Sequence, residues 1–267
     1  MQAIPTQTIT LTFGDVSENH AGMQQIGTRA ADGFNLEDFT RCYNWFIEHN
    51  HQHEIKVYDL KTSLIGVDNY EHVETAYLLV IRQGLDTILS SMNPSQTADD
   101  LYREQTALQP DTKAKMRGRV VNKIARHNLC FGPYAQTANF EAGQGTVIAF
   151  DQVPLLNSVL TKLPEILGDK GRNLTVEGNY YYDPSCGIGY HGDSERMRVI
   201  GVRLGLSTPL CYQWYYQTNP VGHNMPFILN HGDIYIMSQK ATGNDWKKRS
   251  IFTLRHSAGA EAYTKVK

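Results

Sequence analysis

The pattern of hydrophobic and polar residues predicts alternating strands and helices in the first third of the chain. Residues 9–13 (ITLTF) alternate with a period of two, which is typical of a strand. In residues 35–50, apolar side chains recur at the spacing of a helix, and Asn35 is suited to its N-cap. The same pattern analysis predicts three further elements: strands in residues 54–60 and 75–84 and a short helix in residues 85–95.

The pattern changes after a polar stretch at residues 94–112, where we predict a domain boundary. Beyond it, many short β-like runs are separated by Gly, Pro and Asn, and one predicted helix at residues 153–167 interrupts them. This arrangement is typical of a β-sandwich or jelly roll. We therefore predict an α+β protein with a smaller N-terminal α+β region of unknown role (residues 1–110) and a β-rich domain with flanking helices (residues 111–267).

Composition narrows the class of protein. The chain has 267 residues, 41% hydrophobic and 19% charged, with a net charge of −2. These values exclude a largely disordered chain and a strongly basic nucleic-acid coat protein. No apolar run approaches the roughly 20 residues that cross a bilayer, and the four cysteines form no CxxC pair. We predict a cytoplasmic protein with reduced thiols and no membrane contact.

His191 and Asp193, in the segment YHGDSE, are the first candidates for chemistry. On a strand, residues two apart leave the same face with Cα atoms about 6.5–7 Å apart, which suits one metal ion. An imidazole with a carboxylate fits Fe(II), Mn or Zn, and two histidines with one carboxylate are typical of non-haem Fe(II) oxygenases. The alternative is a surface turn with two polar residues.

Two other pairs repeat this same-face spacing. Asn179 and Tyr181 are two residues apart, and Arg249 and Arg255 are six apart in the last predicted strand. Two inward guanidinium groups need an anion, and a dicarboxylate such as 2-oxoglutarate would supply one. The alternative for the arginines is an exposed strand.

The order of these motifs resembles the AlkB-like family of Fe(II)/2-oxoglutarate-dependent dioxygenases. The sequence has NxY, then HxD, then a Gly-Asp strand at Gly232, then RxxxxxR, and the resemblance covers about residues 120–258. It implies a double-stranded β-helix, which is a form of jelly roll, with Fe(II) as metal and 2-oxoglutarate as cosubstrate.

The resemblance also implies a role for each residue of the motifs. These roles are iron ligation by His191 and Asp193, hydrogen bonds from Asn179 and Tyr181 to the cosubstrate, binding of its distal carboxylate by Arg249, and contact of Arg255 with its iron-proximal end or with the metal carboxylate.

The sequence departs from the family at the second metal histidine. The family places it between the Gly-Asp strand and the first arginine, and residues 234–249 contain no histidine. Asp245 lies nearest the expected position, so we predict it as the third ligand. His256 is the alternative, but it follows Arg255 directly and strand alternation turns it to the other face. A site of two ligands, completed by cosubstrate and water, is the remaining possibility.

The predicted function is a dioxygenase that hydroxylates or oxidatively demethylates a nucleobase in nucleic acid. A basic run at residues 113–127 is suited to phosphate contacts, and the alternative is a solvated helix face. The alternatives are a non-catalytic 2-oxoglutarate-binding or sensor module, motivated by the missing histidine, and a hydroxylase of a protein or small molecule. The polar segment at residues 12–20 (TFGDVSENH) either reaches a ligand or forms a surface loop.

Overall fold

The structure, a computed structural model that describes residues 5–266, is built mainly of strands. Its helices are α1 (Leu36–Glu48), α2 (Gly84–Met92), α3 (Ala98–Thr106), α4 (Pro154–Leu167) and α5 (Glu261–Thr264). Its strands are β1 (Thr8–Gly14), β2 (Val16–Glu18), β3 (Gln25–Gly27), β4 (Ile55–Asp59), β5 (Tyr77–Ile81), β6 (Lys113–Met116), β7 (Arg119–Asn122), β8 (His127–Gly132), β9 (Val147–Ala149), β10 (Thr175–Tyr181), β11 (Gly187–His191), β12 (Val199–Gly205), β13 (Thr208–Tyr216), β14 (Asn219–Leu229), β15 (Ile234–Met237) and β16 (Thr253–Gly259).

Two sheets contain most of these strands. The larger sheet has eight strands in the order β4-β5-β15-β12-β1-β10-β8-β9, and the smaller sheet has four in the order β11-β16-β13-β14. Two hairpins, β2–β3 and β6–β7, form separate two-stranded sheets. The prediction of a mixed α+β protein rich in short strands is confirmed.

Strand β1 lies in the middle of the larger sheet, paired with β10 on one side and β12 on the other. Its alternating residues explain this position. Ile9, Leu11 and Phe13 enter one apolar core with helices α1, α2 and α4. The intervening Thr10 and Thr12 line a cavity on the opposite face of the sheet.

A second apolar core lies between the two sheets. Tyr212, Trp214 and Leu254 from the smaller sheet pack with Tyr235 and Met237 from the larger one. The two sheets therefore face each other, as in a sandwich, and side chains from both reach the space between them.

The N-terminal third and the remainder share the larger sheet. The predicted strands at residues 9–13, 54–60 and 75–84 correspond to β1, β4 and β5 of that sheet. The predicted helix at residues 35–50 is confirmed as α1, with the Asn35 side chain accepting hydrogen bonds from the amides of Glu37 and Asp38. Strand pairing thus crosses the predicted boundary at residues 94–112, which instead contains α3.

Candidate metal centre

Strands β11 and β16 bring His191 and His256 together. The two residues are direct partners in the antiparallel pair, and their ring centroids are 4.5 Å apart. Asp193 follows the end of β11, where its amide donates a hydrogen bond to the carbonyl of Thr242. Its Oδ1 lies 3.6 Å from His191 Nε2 and 3.7 Å from His256 Nε2. One ligand atom from each of the three residues therefore lies within 4.8 Å of the others.

Local contacts set the orientation and charge of the imidazoles. His191 Nδ1 lies 2.8 Å from the carbonyl oxygen of Gly189, a contact that holds the ring with Nε2 toward Asp193. Burial, with the nearby His191 and the charge of Arg196, lowers the pKa of His256 well below its usual value. Two imidazoles and one carboxylate form a donor set that fits a divalent iron ion.

Asp245, the predicted third ligand, is not part of this cluster. Its Oδ2 accepts a hydrogen bond from the buried Lys240 ammonium at 2.7 Å, and Lys240 also donates to the carbonyl of Phe252 at 3.0 Å. The carboxylate is therefore engaged in an ion pair. The cluster of possible metal ligands therefore contains His256 where the sequence analysis placed Asp245.

The structure does not bring the two late arginines to the cavity. Arg255 lies with its guanidinium 3.9 Å from the ring centroid of Tyr215, on the face of β16 opposite His256. Arg249 is exposed in the loop before β16. Strand alternation thus places Arg255 and His256 on opposite faces of β16, and His256 is the one that lines the cavity.

A cavity of about 700 Å³ opens beside the three metal-ligand candidates. From the larger sheet, Asn179, Thr10 and Arg203 line it. These three residues form one row across β10, β1 and β12, since Thr10 pairs with Asn179 on one side and Arg203 on the other. Tyr181 also lines the cavity. The structure thus brings all four residues of the NxY and HxD motifs to one cavity.

Arg203 is the residue of this cavity that the sequence interpretation missed. It is 1% exposed, and its Nε and one terminal nitrogen have no hydrogen-bond partner among the residues that the structure describes. Burial lowers the pKa of this guanidinium. A buried cation without a full set of partners is costly unless a ligand supplies them. The sequence contained a signal for it, because Arg203 is the one charged residue of the buried strand β12 and lies between the apolar Val202 and Leu204.

Gly201 and Tyr235 shape the space next to this guanidinium. A Cβ atom at Gly201 would lie 2.0 Å from the ring of Tyr235, so the ring crosses the strand only because residue 201 has no side chain. Tyr235 and Arg203 both line the cavity. Glycine therefore permits a tyrosine wall beside the buried cation.

A second polar network fixes Asn179. Its Oδ1 accepts hydrogen bonds from Arg126 Nε at 2.5 Å and from Asn128 Nδ2 at 2.7 Å. Deeper in the same wall, Glu177 pairs with Arg196 at 2.7 Å. Since its oxygen is engaged, the amide nitrogen of Asn179 remains as a donor for a ligand.

The basic run divides between surface and interior. Part of it forms the hairpin β6–β7, where Lys113, Arg117 and Arg119 are exposed, so the helix alternative is wrong. The ammonium of Lys123 instead contacts two buried side-chain oxygens at 2.7 and 3.0 Å, and Arg126 lines the cavity.

The polar segment at residues 12–20 has two different roles. Asp15 accepts hydrogen bonds from the backbone amides of the residues before β12, and the side chain of Asn19 donates a hydrogen bond to Asp111 at 2.7 Å. Both side chains therefore stabilise the fold. Glu18 and His20 line the cavity. The segment therefore reaches the candidate site through two of its side chains.

Comparison with known proteins finds a mimivirus relative of this chain. No protein-family model matches it. None of the helices in residues 5–266 combines the length and apolar composition needed to span a membrane. The uncharacterized protein R156 of Acanthamoeba polyphaga mimivirus is 45% identical over 260 residues, which covers 97% of this chain and 98% of that protein. The chain therefore belongs to the same family as protein R156 of this mimivirus.

Proposed function

We propose that this protein is an Fe(II)/2-oxoglutarate-dependent oxygenase. The observation that carries the proposal is one cavity that joins a His-Asp-His cluster to a buried guanidinium lacking partners among residues 5–266. The cluster is the ligand set typical of non-haem Fe(II) oxygenases. The guanidinium matches a carboxylate of the cosubstrate.

The connection of the strands supports a jelly roll. From β10 to β16, the chain passes repeatedly between the sheets: β10, β12 and β15 belong to the larger one, and β11, β13, β14 and β16 to the smaller one. A jelly roll places its last strand between its first and third. Here β1 occupies that place, between β10 and β12. We interpret the domain as a double-stranded β-helix that a strand from earlier in the chain completes.

Each residue of the cavity then has a role. His191, Asp193 and His256 would hold the iron, which when bound supplies the coupled oxidation of 2-oxoglutarate and of a substrate C–H bond by dioxygen. Arg203 binds the distal carboxylate of the cosubstrate, and the amide nitrogen of Asn179 donates a hydrogen bond to it. The cosubstrate thereby supplies the partners that the guanidinium lacks.

Calorimetry with Mn(II), a redox-stable substitute for Fe(II), tests the proposal. We expect 2-oxoglutarate to bind at least tenfold more tightly with Mn(II) than without it, because the 2-oxoacid group chelates the metal while Arg203 binds the far carboxylate. Succinate formation with Fe(II) and dioxygen is the second readout. A protein that binds Mn(II) but gives no heat with 2-oxoglutarate would contradict the proposal.

His256 bears on the alternative of a non-catalytic 2-oxoglutarate-binding or sensor module. That alternative depended on a missing second histidine, and His256 supplies a second imidazole to the cluster. The geometry therefore favours an enzyme over a sensor.

Nucleic acid is a second candidate partner, and the exposed basic side chains of hairpin β6–β7 are the observation that favours it. We expect the triple variant K113E/R117E/R119E to bind single-stranded DNA or RNA more weakly. The slope of log K against log salt concentration should become less steep by about 2, because each of the three lost phosphate contacts contributes about 0.7 to it. Filter binding at several salt concentrations measures this slope. Equal affinity and slope in the variant and the parent protein would remove the hairpin from any nucleic-acid interface.

A further inference from the structure

We propose that the substrate carries an aliphatic ammonium or guanidinium group that Glu18 binds inside the cavity. The inference rests on the proposed oxygenase function and names the chemical class of its substrate.

The hairpin β2–β3 forms one wall of the cavity. Its strands pair Glu18 with Gln25, and both side chains line the same cavity as the metal-ligand candidates. The connecting turn adds His20 and Met23 to this lining. We call residues 18–25 the hairpin wall. A substrate that reaches the metal cluster shares the cavity with this wall.

Glu18 is a buried acid without a cationic partner. Glu18 is only 9% exposed, and the backbone amide of Gly22 donates a hydrogen bond to its Oε1 at 2.8 Å. No lysine, arginine or histidine nitrogen of the described chain lies within 4.0 Å of its carboxylate.

The other acids of the cavity are different. Glu177, Glu195 and Asp193 lie 2.7, 2.9 and 3.7 Å from nitrogens of Arg196. One arginine therefore serves three carboxylates, and Glu18 is left as the cavity acid that an incoming cation can pair with.

The charge of Glu18 is poorly compensated in the free protein. Burial, with repulsion from Glu195 and Glu177, raises its pKa to about 7, although the Gly22 amide and Arg196 act in the opposite direction. A bound cation would restore the ionised form. Charge-assisted hydrogen bonds are about twice as strong as neutral ones, and a guanidinium can bind a carboxylate through two parallel bonds.

The wall favours an aliphatic cation over a charged base. Pockets that receive a flipped base stack it between aromatic or apolar side chains. The hairpin wall has no phenylalanine, tyrosine or tryptophan, and His20 and Met23 are its larger ring and apolar side chains. Among the aromatic residues of the cavity, Tyr181 and Tyr235 lie on the larger sheet near Arg203, where the cosubstrate is proposed to bind. Trp246 also lines the cavity, and the guanidinium of Arg255 lies 5.3 Å from its ring centroid. A cavity of about 700 Å³ lies within the range that holds drug-sized ligands, so it has room for the cosubstrate and a molecule of amino-acid size.

Calorimetry on protein loaded with Mn(II) and 2-oxoglutarate tests the inference. The probes are L-arginine, L-lysine, agmatine and putrescine. L-citrulline and L-norleucine, which keep the α-ammonium group but have uncharged side chains, are the matched controls for arginine and lysine. We expect at least one cation to bind, and its neutral counterpart to bind 10- to 100-fold more weakly. The variant E18Q should lose the same factor, whereas E48Q, which removes an exposed acid on α1, should not.

The pH dependence separates a charge contact from a structural role. Cation binding requires ionised Glu18, so affinity should rise from pH 6 to pH 8 in the parent protein and stay nearly constant in E18Q. Other groups near Glu18 could also change affinity with pH, namely Glu177, Glu195, Arg196 and His20. E18Q keeps these groups, so the difference between the two pH profiles reports Glu18. Thermal melting of E18Q checks that the variant is folded.

The inference would be overturned by no binding of any of the four cations, by equal binding of citrulline and arginine, or by unchanged cation affinity in folded E18Q. Binding of the cationic nucleoside N1-methyladenosine without binding of the aliphatic cations would also overturn it. Loss of Mn(II) or 2-oxoglutarate binding in the parent protein is a separate result, because it contradicts the proposed function itself.

Discussion

Replacement of His256 by alanine is expected to weaken Mn(II) binding by at least about a hundredfold and to abolish succinate formation. Loss of an outer partner of a metal ligand already costs 10- to 100-fold in metal affinity or activity, and His256 is proposed as a ligand itself. It lies 3.7 Å from Asp193 and is held in register with His191. Calorimetry with Mn(II) measures the change.

The variant D245N is the matched control for this experiment. Asp245 pairs with Lys240, away from the cluster, and the amide keeps a hydrogen-bond acceptor for the ammonium. D245N should therefore keep its Mn(II) affinity. If D245N lost the metal while H256A retained it, the assignment of the third ligand would be reversed.

Replacement of Arg203 by methionine is expected to have opposite effects on binding and stability. The variant loses the cation that binds the distal carboxylate, so 2-oxoglutarate affinity should fall by at least about a hundredfold, in line with the cost of removing one partner of a buried charge pair. The free protein should gain about 1–4 kcal/mol of stability, because a buried charge lacking partners within residues 5–266 is replaced by an apolar side chain of similar length.

Thermal melting with and without 2-oxoglutarate measures both effects. A ligand at a hundred times its Kd stabilises the parent protein by about 2.7 kcal/mol, and R203M should show no such increase. R249A is the control, since Arg249 is exposed in the loop before β16 and should change neither value. A loss of cosubstrate affinity in R249A with none in R203M would restore the role that the sequence resemblance implied for Arg249.

Local patterns predicted the elements well because they depend on neighbouring residues. The alternation in residues 9–13 and the N-cap at Asn35 are examples, and both appear in the structure. The spacing of His191 and Asp193 likewise predicts that both side chains lie at one site, because only Gly192 separates them.

The rest of the site depends on pairings that no local pattern encodes. His256 faces His191 because β16 pairs with β11, and the register of that pair is invisible in either segment alone. Arg203 meets the cavity because β12 lies beside β1 in the larger sheet. A motif order taken from a family therefore led to Arg249 and Asp245, whereas the strand register brings His256 and Arg203 to the cavity.

The central position of β1 in the larger sheet has a consequence for folding during synthesis on the ribosome. The Thr8 hydroxyl bonds to the carbonyl of Leu206, 198 residues later in the chain. When β1 is synthesised, both of its neighbours in the sheet are still untranslated, and domains that depend on such distant pairings fold slowly. The β1 segment therefore stays unpaired, with its apolar side chains exposed, until most of the polypeptide has emerged. We therefore expect chaperones to bind ribosome-bound chains that end before β10.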